Sequence, residues 1–442
     1  MANTKCPFCE ESIQLLQSIQ PCPECNRLLF KCVQCSSPNM SVARFCVSCK
    51  DRLISPSDCR MAHANSARTS SFETLTGRIN VPNWSRTLPK ISFDDLSQFH
   101  RLPALITTGG MVIVPNFREN AFDSYSVTNG ELLWRAYLDG VLQYASTPVY
   151  HALSFYLILE ERLLRISLLD GNVEVILQSP NILPAGKCAP LVIVQPAPDT
   201  KTHRETARLI WGLNGRILCY SIENGEGKSE FLEHSAGDSL RTPVAINPNR
   251  ILFTSGKGTI YELTLKENEI NEIEVGDYSL SVPCVLDELV YFHGVTNSAD
   301  RLIFNFNPKN GEIRMAKLLD DSLSDVTDFE NSLWYPPVGL GNYAILSDFY
   351  HSTLIRWMGI KAQSARLGTY RFIAHQSVVV GQRIFSLSES GLYRLDLPSG
   401  ANSVMSLTRK PDDKPVPIAS PAVYANKLLV WCEDRLICQS IS

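Results

Sequence analysis

Eight of the fourteen cysteines of this 442-residue chain fall within its first 49 residues. They form four C-x-x-C pairs: Cys6 with Cys9, Cys22 with Cys25, Cys32 with Cys35, and Cys46 with Cys49. Two intervening residues let a tight turn aim both sulfurs at one ion, and four thiolates satisfy Zn²⁺ tetrahedrally. The gaps between successive pairs are twelve, six and ten residues. The short gap separates the second pair from the third, which favours sequential pairing. Cys6, Cys9, Cys22 and Cys25 would hold one zinc ion, and Cys32, Cys35, Cys46 and Cys49 a second; a cross-braced arrangement, with pairs one and three sharing a metal, is the alternative. Disulfides fit poorly with an N-terminus that lacks a charged-then-apolar export signal. No βαβ pattern adjoins the pairs to suggest a redox motif, and the spacing matches neither common ferredoxin run. The other cysteines (Cys59, Cys188, Cys219, Cys284, Cys432 and Cys438) are scattered, mostly in apolar strand-like runs, and are expected to be buried structural thiols.

A segment this small has little core of its own, so metal binding supplies most of its folding free energy. Over residues 5–52 it resembles the double zinc ribbon family, with one departure. Glu10, Asn26, Ser36 and Lys50 follow the knuckles where that family commonly has glycine. Residues 1–60 hold seven Lys/Arg and five Asp/Glu. Two tetrathiolate sites would each add a formal −2, so no clustered positive surface for phosphates remains. Phe8, Phe30 and Phe45 are too few for a base-stacking platform. Protein docking is the better expectation, and a nucleic-acid-binding adaptor using the ribbons is the alternative.

From residue 55 the chain is rich in Ser, Thr, Ala and Asn, which predicts a flexible linker over 55–87 after a 1–54 module. The remainder, 88–442, repeats. A proline followed by an apolar or small residue recurs at Pro103, Pro148, Pro190, Pro243, Pro283, Pro337 and Pro421, at intervals of 45, 42, 53, 40, 54 and 84. The last interval is double, which predicts a proline-less repeat near residue 379, at Ser377-Val378-Val379-Val380. Each repeat continues with an aliphatic strand, an alternating strand such as Leu164-Arg165-Ile166-Ser167-Leu168, and a turn such as Asn129-Gly130, Asp170-Gly171 or Asn310-Gly311. Four short strands per period of 40–45 residues, without helical periodicity, define an all-β chain: a β-propeller of about eight four-stranded blades, with seven as the alternative. Residues 88–93 are placed to give the last blade its fourth strand and close the ring.

Thr128-Asn129-Gly130-Glu131-Leu132-Leu133-Trp134 and Ser390-Gly391-Leu392-Tyr393-Arg394-Leu395-Asp396 resemble the PQQ-like, quinoprotein-type propeller repeat. Some members of that family are PQQ-dependent dehydrogenases, a remote alternative here. The adjacent cysteines that cap the quinone in some of them are absent, only Trp134 occupies the turn-tryptophan position, and residues 320–325 lack the glycine and terminal glutamate of a calcium loop. The eight histidines are dispersed, and no nucleophile-elbow, phosphate-loop or dinucleotide signature occurs.

A net charge of −4 argues against bulk attraction to nucleic acid or anionic lipid, and no apolar run is long enough to span a bilayer. The expectation is a non-catalytic cytoplasmic scaffold that binds protein partners through the propeller or the ribbons. Ribbon–propeller fusions resemble components of bacterial multi-protein systems, including defence machineries. The lengthened intervals place insertions at 196–204 and 297–300, each a candidate partner site.

Overall fold

The fold is taken from a computed structural model of the chain. It describes residues 4–7, 9–13, 19–24, 28–32, 35, 37–40, 46–50, 71–72, 83–91, 105–108, 110–142, 145–151, 154–179, 191–196, 205–213, 215–223, 226–235, 240–286, 288–296, 301–317, 337–340, 343–347, 351–358, 361–369, 377–380, 382–388, 391–396, 401–405, 407, 415–419, 421–424 and 427–440. Of the insertion expected at 196–204 only Pro196, the end of a strand, is among these residues; the insertion expected at 297–300 and the acidic run 320–325 lie outside them.

The chain is an all-β propeller. Two small sheets come first: a hairpin of Thr4–Lys5 with Ser12–Ile13, and a three-stranded sheet of Ile19–Pro21, Leu28–Lys31 and Pro38–Met40. Among the described residues, larger sheets of four or five strands then follow one another along the chain. The first is made of Ile106–Thr108, Met111–Asn116, Ala121–Ser126 and Leu132–Tyr137, the second of Val149–His151, Ser154–Leu159, Arg162–Ser167 and Val173–Gln178. Sheets begin in the same way at Leu191–Pro196, Val244–Asn247, Val338–Leu340, Val378–Val380 and Ala422–Tyr424; in the fifth sheet, Cys284–Leu286 and Ser279–Leu280 both pair with Leu289–Val295.

The recurring prolines have a simple physical place. Pro148, Pro190, Pro243, Pro283, Pro337 and Pro421 each immediately precede the short strand that opens a sheet. Proline has no N–H to give a ladder, so the first step into a strand is where it is tolerated. The proline-less repeat is where the interval placed it, at Val378–Val380. These opening strands line up against one another from sheet to sheet, and Ile106–Thr108 lies beside Ala422–Tyr424.

The ring closes one turn earlier in sequence than 88–93. Trp84–Thr87 pairs antiparallel with Arg435–Ser440 and is the outer strand of the last sheet. Residues 88–91 are held by backbone bonds instead, Leu88 N to Asp434 O (2.7 Å) and Ile91 N to Glu433 O (2.8 Å). Asn83 anchors the entry, its Oδ1 accepting from Lys427 Nζ and from Ser440 N. Ser71–Phe72 also pairs, in parallel, with Val378–Val380. The segment read as a linker over 55–87 therefore supplies two strands to the propeller.

The closing strand also brings Trp84 into a role that the repeat pattern assigned to Trp134 alone. Trp84 Nε1 donates to Val127 O (2.7 Å) and its ring covers Gly130; Trp134 Nε1 donates to Leu168 O (2.8 Å) and its ring covers Gly171. Each indole, on the outer strand of one sheet, clamps the turn of the next. Both glycines have left-handed backbone (φ +72° and +75°), and a Cβ at either would stand 2.7 Å from the indole. Hence both the turn and the indole demand glycine.

Between sheets the core is a relay of buried clusters. One joins the seventh, last, first and second sheets through residues such as Trp431, Leu429, Phe122, Phe155 and Phe385. The next joins the second, third and fourth sheets around Tyr156, Trp211 and Phe253, and a third joins the fourth and fifth around Phe292 and Phe304.

The indole clamp can be isolated by comparing glycines. Gly311 has the same left-handed backbone (φ +73°), but a methyl group added there would meet no atom within 4 Å. Gly311→Ala should lose only the left-handed strain, about 1–2 kcal/mol, and Gly130→Ala clearly more, because overpacking adds about 1–3 kcal/mol. Trp84→Ala should lose about 3–5 kcal/mol. Urea unfolding of the full-length chain checks all three.

Candidate metal centres

The cysteine pairs fold into knuckles because each turn satisfies its own backbone groups. Glu10 N donates to Cys6 O (3.0 Å) and Cys6 N to Glu11 O (2.9 Å); Lys50 N donates to Cys46 O (3.0 Å) and Cys32 N to Ser37 O (2.9 Å). The residues after two of the knuckles, Glu10 (φ 60°) and Lys50 (φ 62°), sit in the left-handed region. That backbone explains why glycine is favoured there in related modules, and why Glu10 and Lys50 carry strain.

The structure gathers the cysteines sequentially. Cys32, Cys35, Cys46 and Cys49 converge with all four sulfurs within 4.8 Å of one another, and so do Cys6, Cys9 and Cys22. Cys25, expected as the fourth member of the first set, lies outside the described residues. The cross-braced arrangement is not the one adopted. The Sγ–Sγ distances are 3.8 Å for Cys9–Cys22, 3.7 Å for Cys32–Cys49 and 3.5 Å for Cys35–Cys46. A disulfide would need about 2.05 Å. A tetrahedral thiolate site with metal–sulfur bonds of about 2.3 Å places its sulfurs about 3.8 Å apart. The two clusters thus have the donor type and spacing to hold a metal ion each.

Local electrostatics prepares the second cluster. The Cys35 thiol is pulled down from its ordinary value to about 6, chiefly by the Ser37 hydroxyl 3.2 Å away, against a smaller opposing effect of burial. For Cys46, burial pushes the thiol up, but the backbone amides of Cys49 and Ser48 outweigh it and the net direction is down. Thiolates are the ligating form, so both effects favour metal capture.

One supporting residue carried no signal in the cysteine spacing. Asn39 is fully buried and spans the second cluster's two knuckles. Its Nδ2 donates to Ser37 O (2.8 Å) and to Cys46 Sγ (3.6 Å), and its Oδ1 accepts from Val47 N (2.9 Å). A buried amide that satisfies three partners around a ligand fixes the ligand's direction, as outer-shell residues do in metal sites. A polar residue in a segment with almost no apolar core was the only clue the sequence held.

The second cluster is not isolated from the propeller. Cys32 and Cys46 belong to the same buried cluster as Leu88, Trp431 and the first-sheet core. The first cluster has its own small core of Cys6, Cys22, Ile13 and Leu29. Of the scattered cysteines, Cys219, Cys284, Cys432 and Cys438 are buried. Burial pushes Cys219 and Cys438 up to about 12 and raises Cys284 too, as expected of inert structural thiols. Cys59 and Cys188 lie outside the described residues. His293 is a core residue of the fifth sheet and His151 ends an opening strand, so the two do not form a shared site.

The chain matches no family model and no curated protein sequence. Its fold is similar to several solved structures. BamB from Moraxella catarrhalis matches at 13% identity with a TM-score of 0.53, over 81% of this chain and 98% of BamB. The quinohemoprotein alcohol dehydrogenase of Comamonas testosteroni matches at 10% identity and 0.57, over 86% and 80%. Sqt1 from Saccharomyces cerevisiae matches at 8% identity and 0.52, over 81% and 98%. At such identities the likeness establishes the fold alone. That fold is a propeller matching the PQQ-like class, preceded by cysteine clusters consistent with zinc-binding modules.

Elemental analysis of the purified full-length chain should find two metal ions. Cys32→Ser should remove one of them and leave the first centre loaded. Asn39→Leu should weaken the second centre about 10–100-fold, the range for losing an outer-shell partner, measured by competition with a chromophoric chelator.

Proposed function

We propose that this chain is a non-catalytic, cytosolic scaffold: two structural zinc ions stabilise an N-terminal double ribbon, and a closed eight-bladed propeller presents surfaces to protein partners in a multi-protein assembly. The observation that carries this reading is the closed donor set of the second cluster. Cys32, Cys35, Cys46 and Cys49 supply four sulfurs to one point. Four protein ligands leave no position for water or substrate, which is the signature of a structural rather than a catalytic zinc.

The electrostatics favour protein over nucleic acid as the partner. The whole chain carries −4, and each four-thiolate zinc site contributes further negative charge. The alternative of a ribbon that reads nucleic acid would need a clustered basic face. The charged groups inside the sheets are committed to each other, as in Arg135 with Asp123 and Arg250 with Glu262. A rigid repeat scaffold exposes wide surfaces without needing a reactive centre.

The test is affinity purification of the full-length chain and of its Cys32→Ser/Cys35→Ser variant from source-cell lysate, with and without nuclease, followed by quantitative mass spectrometry. The expected result is a defined set of proteins, retained after nuclease, at stoichiometric yield. Recovery only without nuclease would overturn the reading in favour of a nucleic-acid adaptor. Loss of the set in the cysteine variant would locate recognition on the ribbons, and its retention would locate it on the propeller.

A further inference from the structure

The two cysteines of each C-x-x-C turn in the second cluster meet different surroundings. The leading ones, Cys32 (3% exposed) and Cys46 (1%), are buried, while the trailing ones, Cys35 and Cys49, face solvent. In the first cluster Cys6 and Cys22 are buried and Cys9 is half-buried. The described cysteines of the propeller, Cys219, Cys284, Cys432 and Cys438, are all buried. Among the described residues, therefore, the second cluster alone presents exposed cysteines to a dissolved reagent.

The buried half faces the propeller. Cys32 and Cys46 belong to the apolar cluster that contains Leu88, Trp431 and Cys438, which pack the closing seam. Backbone bonds fix that seam: Leu88 N donates to Asp434 O (2.7 Å), and Trp84–Thr87 pairs with Arg435–Ser440. The first cluster packs against its own Ile13 and Leu29 instead. The two centres thus differ in what they hold together, and among the described residues only the second joins the seam.

Each exposed sulfur also has a buried one within reach in the other turn. Cys35 Sγ lies 3.5 Å from Cys46 Sγ, and Cys49 Sγ lies 3.7 Å from Cys32 Sγ. An accessible thiolate beside a second thiolate is the arrangement in which oxidation ends in a disulfide. The Cys35 thiolate attacks a peroxide; an S–O bond forms as the O–O bond breaks, and the departing hydroxide takes a proton to become water. The Cys46 thiolate then attacks that sulfur. The S–S bond forms, the S–O bond breaks, and the second hydroxide also leaves as water. The two thiolates lose two electrons in all, and one peroxide is reduced to two waters. The sulfurs close from 3.5 Å to about 2.05 Å. That closure moves Cys46 against its packing and against Asn39, whose Nδ2 donates to Cys46 Sγ and whose Oδ1 holds Val47 N.

Resting on the reading of this cluster as a structural zinc site, we infer that the second centre is a peroxide-sensitive clasp on the propeller's closing seam. In the reduced state four thiolates around one ion hold Cys32 and Cys46 against the seam. In the oxidised state only two cysteines of the set remain as ligands, half of what a structural zinc site requires. The turns then lose the centre that folds them, and the seam loses part of its buried cover.

The experiment treats the reduced full-length chain, purified with zinc present, with hydrogen peroxide. A chromophoric chelator measures released zinc, differential alkylation with mass spectrometry assigns the oxidised cysteines, and hydrogen exchange follows amides 84–88 and 435–438. The expected result is release of one of two zinc ions, a disulfide between the two turns of the second cluster, and exchange across the seam at least about tenfold faster. Reduction with a dithiol in the presence of zinc should restore the slow exchange. Cys35→Ser should show the fast exchange without peroxide and change no further with it. Cys6→Ser, which removes the first ion, should keep the parent's slow exchange and its response to peroxide. Retention of both ions, absence of a disulfide between these turns, an unmoved seam, or the same loosening in untreated Cys6→Ser would each overturn the proposal. Failure of the underlying zinc reading is distinguishable. A reduced chain that carries no zinc overturns both, whereas one that carries two ions and keeps them under peroxide overturns this inference alone.

Discussion

The structure depends on one strand pairing, that of Trp84–Thr87 with Arg435–Ser440. A chain of successive sheets has two raw ends, and each end exposes unpaired backbone groups and an apolar face. Bringing residue 84 to residue 438 removes both at once, because it pairs the last edge and sets Trp84 over Gly130 of the first sheet. Thr107 Oγ1 adds a buried bond across the same seam, to Val423 O at 3.1 Å. The contact is between residues more than 300 apart in sequence, so it forms only after a large loop-closure entropy has been met. Its many buried partners offset that entropy: the cluster spanning the seam joins the seventh, last, first and second sheets.

The same seam gives the N-terminal module its place. The chain that closes the ring is the chain that leads back to the cysteines, and Cys32 and Cys46 share the seam's buried cluster. Four sulfurs gathered around an ion would do for these few dozen residues what phenylalanine and leucine do for the sheets. They would give a fixed centre to which short strands can be tied. Asn39 shows how tightly the arrangement is specified, since one amide satisfies a ligand, a turn carbonyl and a turn amide from a fully buried position. The second cysteine cluster and the closing seam are thus neighbours in space, although the cysteines and the last strand lie at opposite ends of the chain.

The fold was legible where local chemistry repeats. Proline before most of the opening strands follows from the missing N–H, and the doubled interval alone located Val378–Val380. The turn glycines and the paired cysteines were legible for the same reason, because each residue type answers a requirement of its own few neighbours. The closing strand was displaced by a few residues in the sequence reading, 88–93 instead of Trp84–Thr87, because its register is set by a partner some 350 residues away and not by its own pattern. Trp84 was missed as a clamp for that reason: its glycine belongs to another repeat. Asn39 was invisible because buried hydrogen-bonding of a single amide leaves no periodic trace. The exposure of Leu132, Leu133 and Tyr137 was hidden too, since they fit the alternation of any strand until the structure shows which strand lies outermost.

The charge pattern separates what the fold needs from what it leaves over. Asp123 is nearly fully buried, and its carboxylate accepts from Asn116 Nδ2 (2.9 Å), Tyr125 Oη (3.0 Å) and both Arg135 Nε (2.6 Å) and Nη2 (2.9 Å). A buried carboxylate so fully matched is a structural component, and the pairing holds the Arg135 proton more tightly while burial and the nearby carboxylate push the Tyr125 phenol up. Glu262 with Arg250 performs the same service in the fourth sheet, and Arg250 Nη2 extends it to Pro308 O of the fifth. Once such pairs are set aside, most of the arginines of the first two sheets are consumed while surface acids such as Glu131 and Glu161 are left over. Exposed carboxylates beside exposed leucine and tyrosine contribute little to folding, because solvent screens the former and burial never rewards the latter.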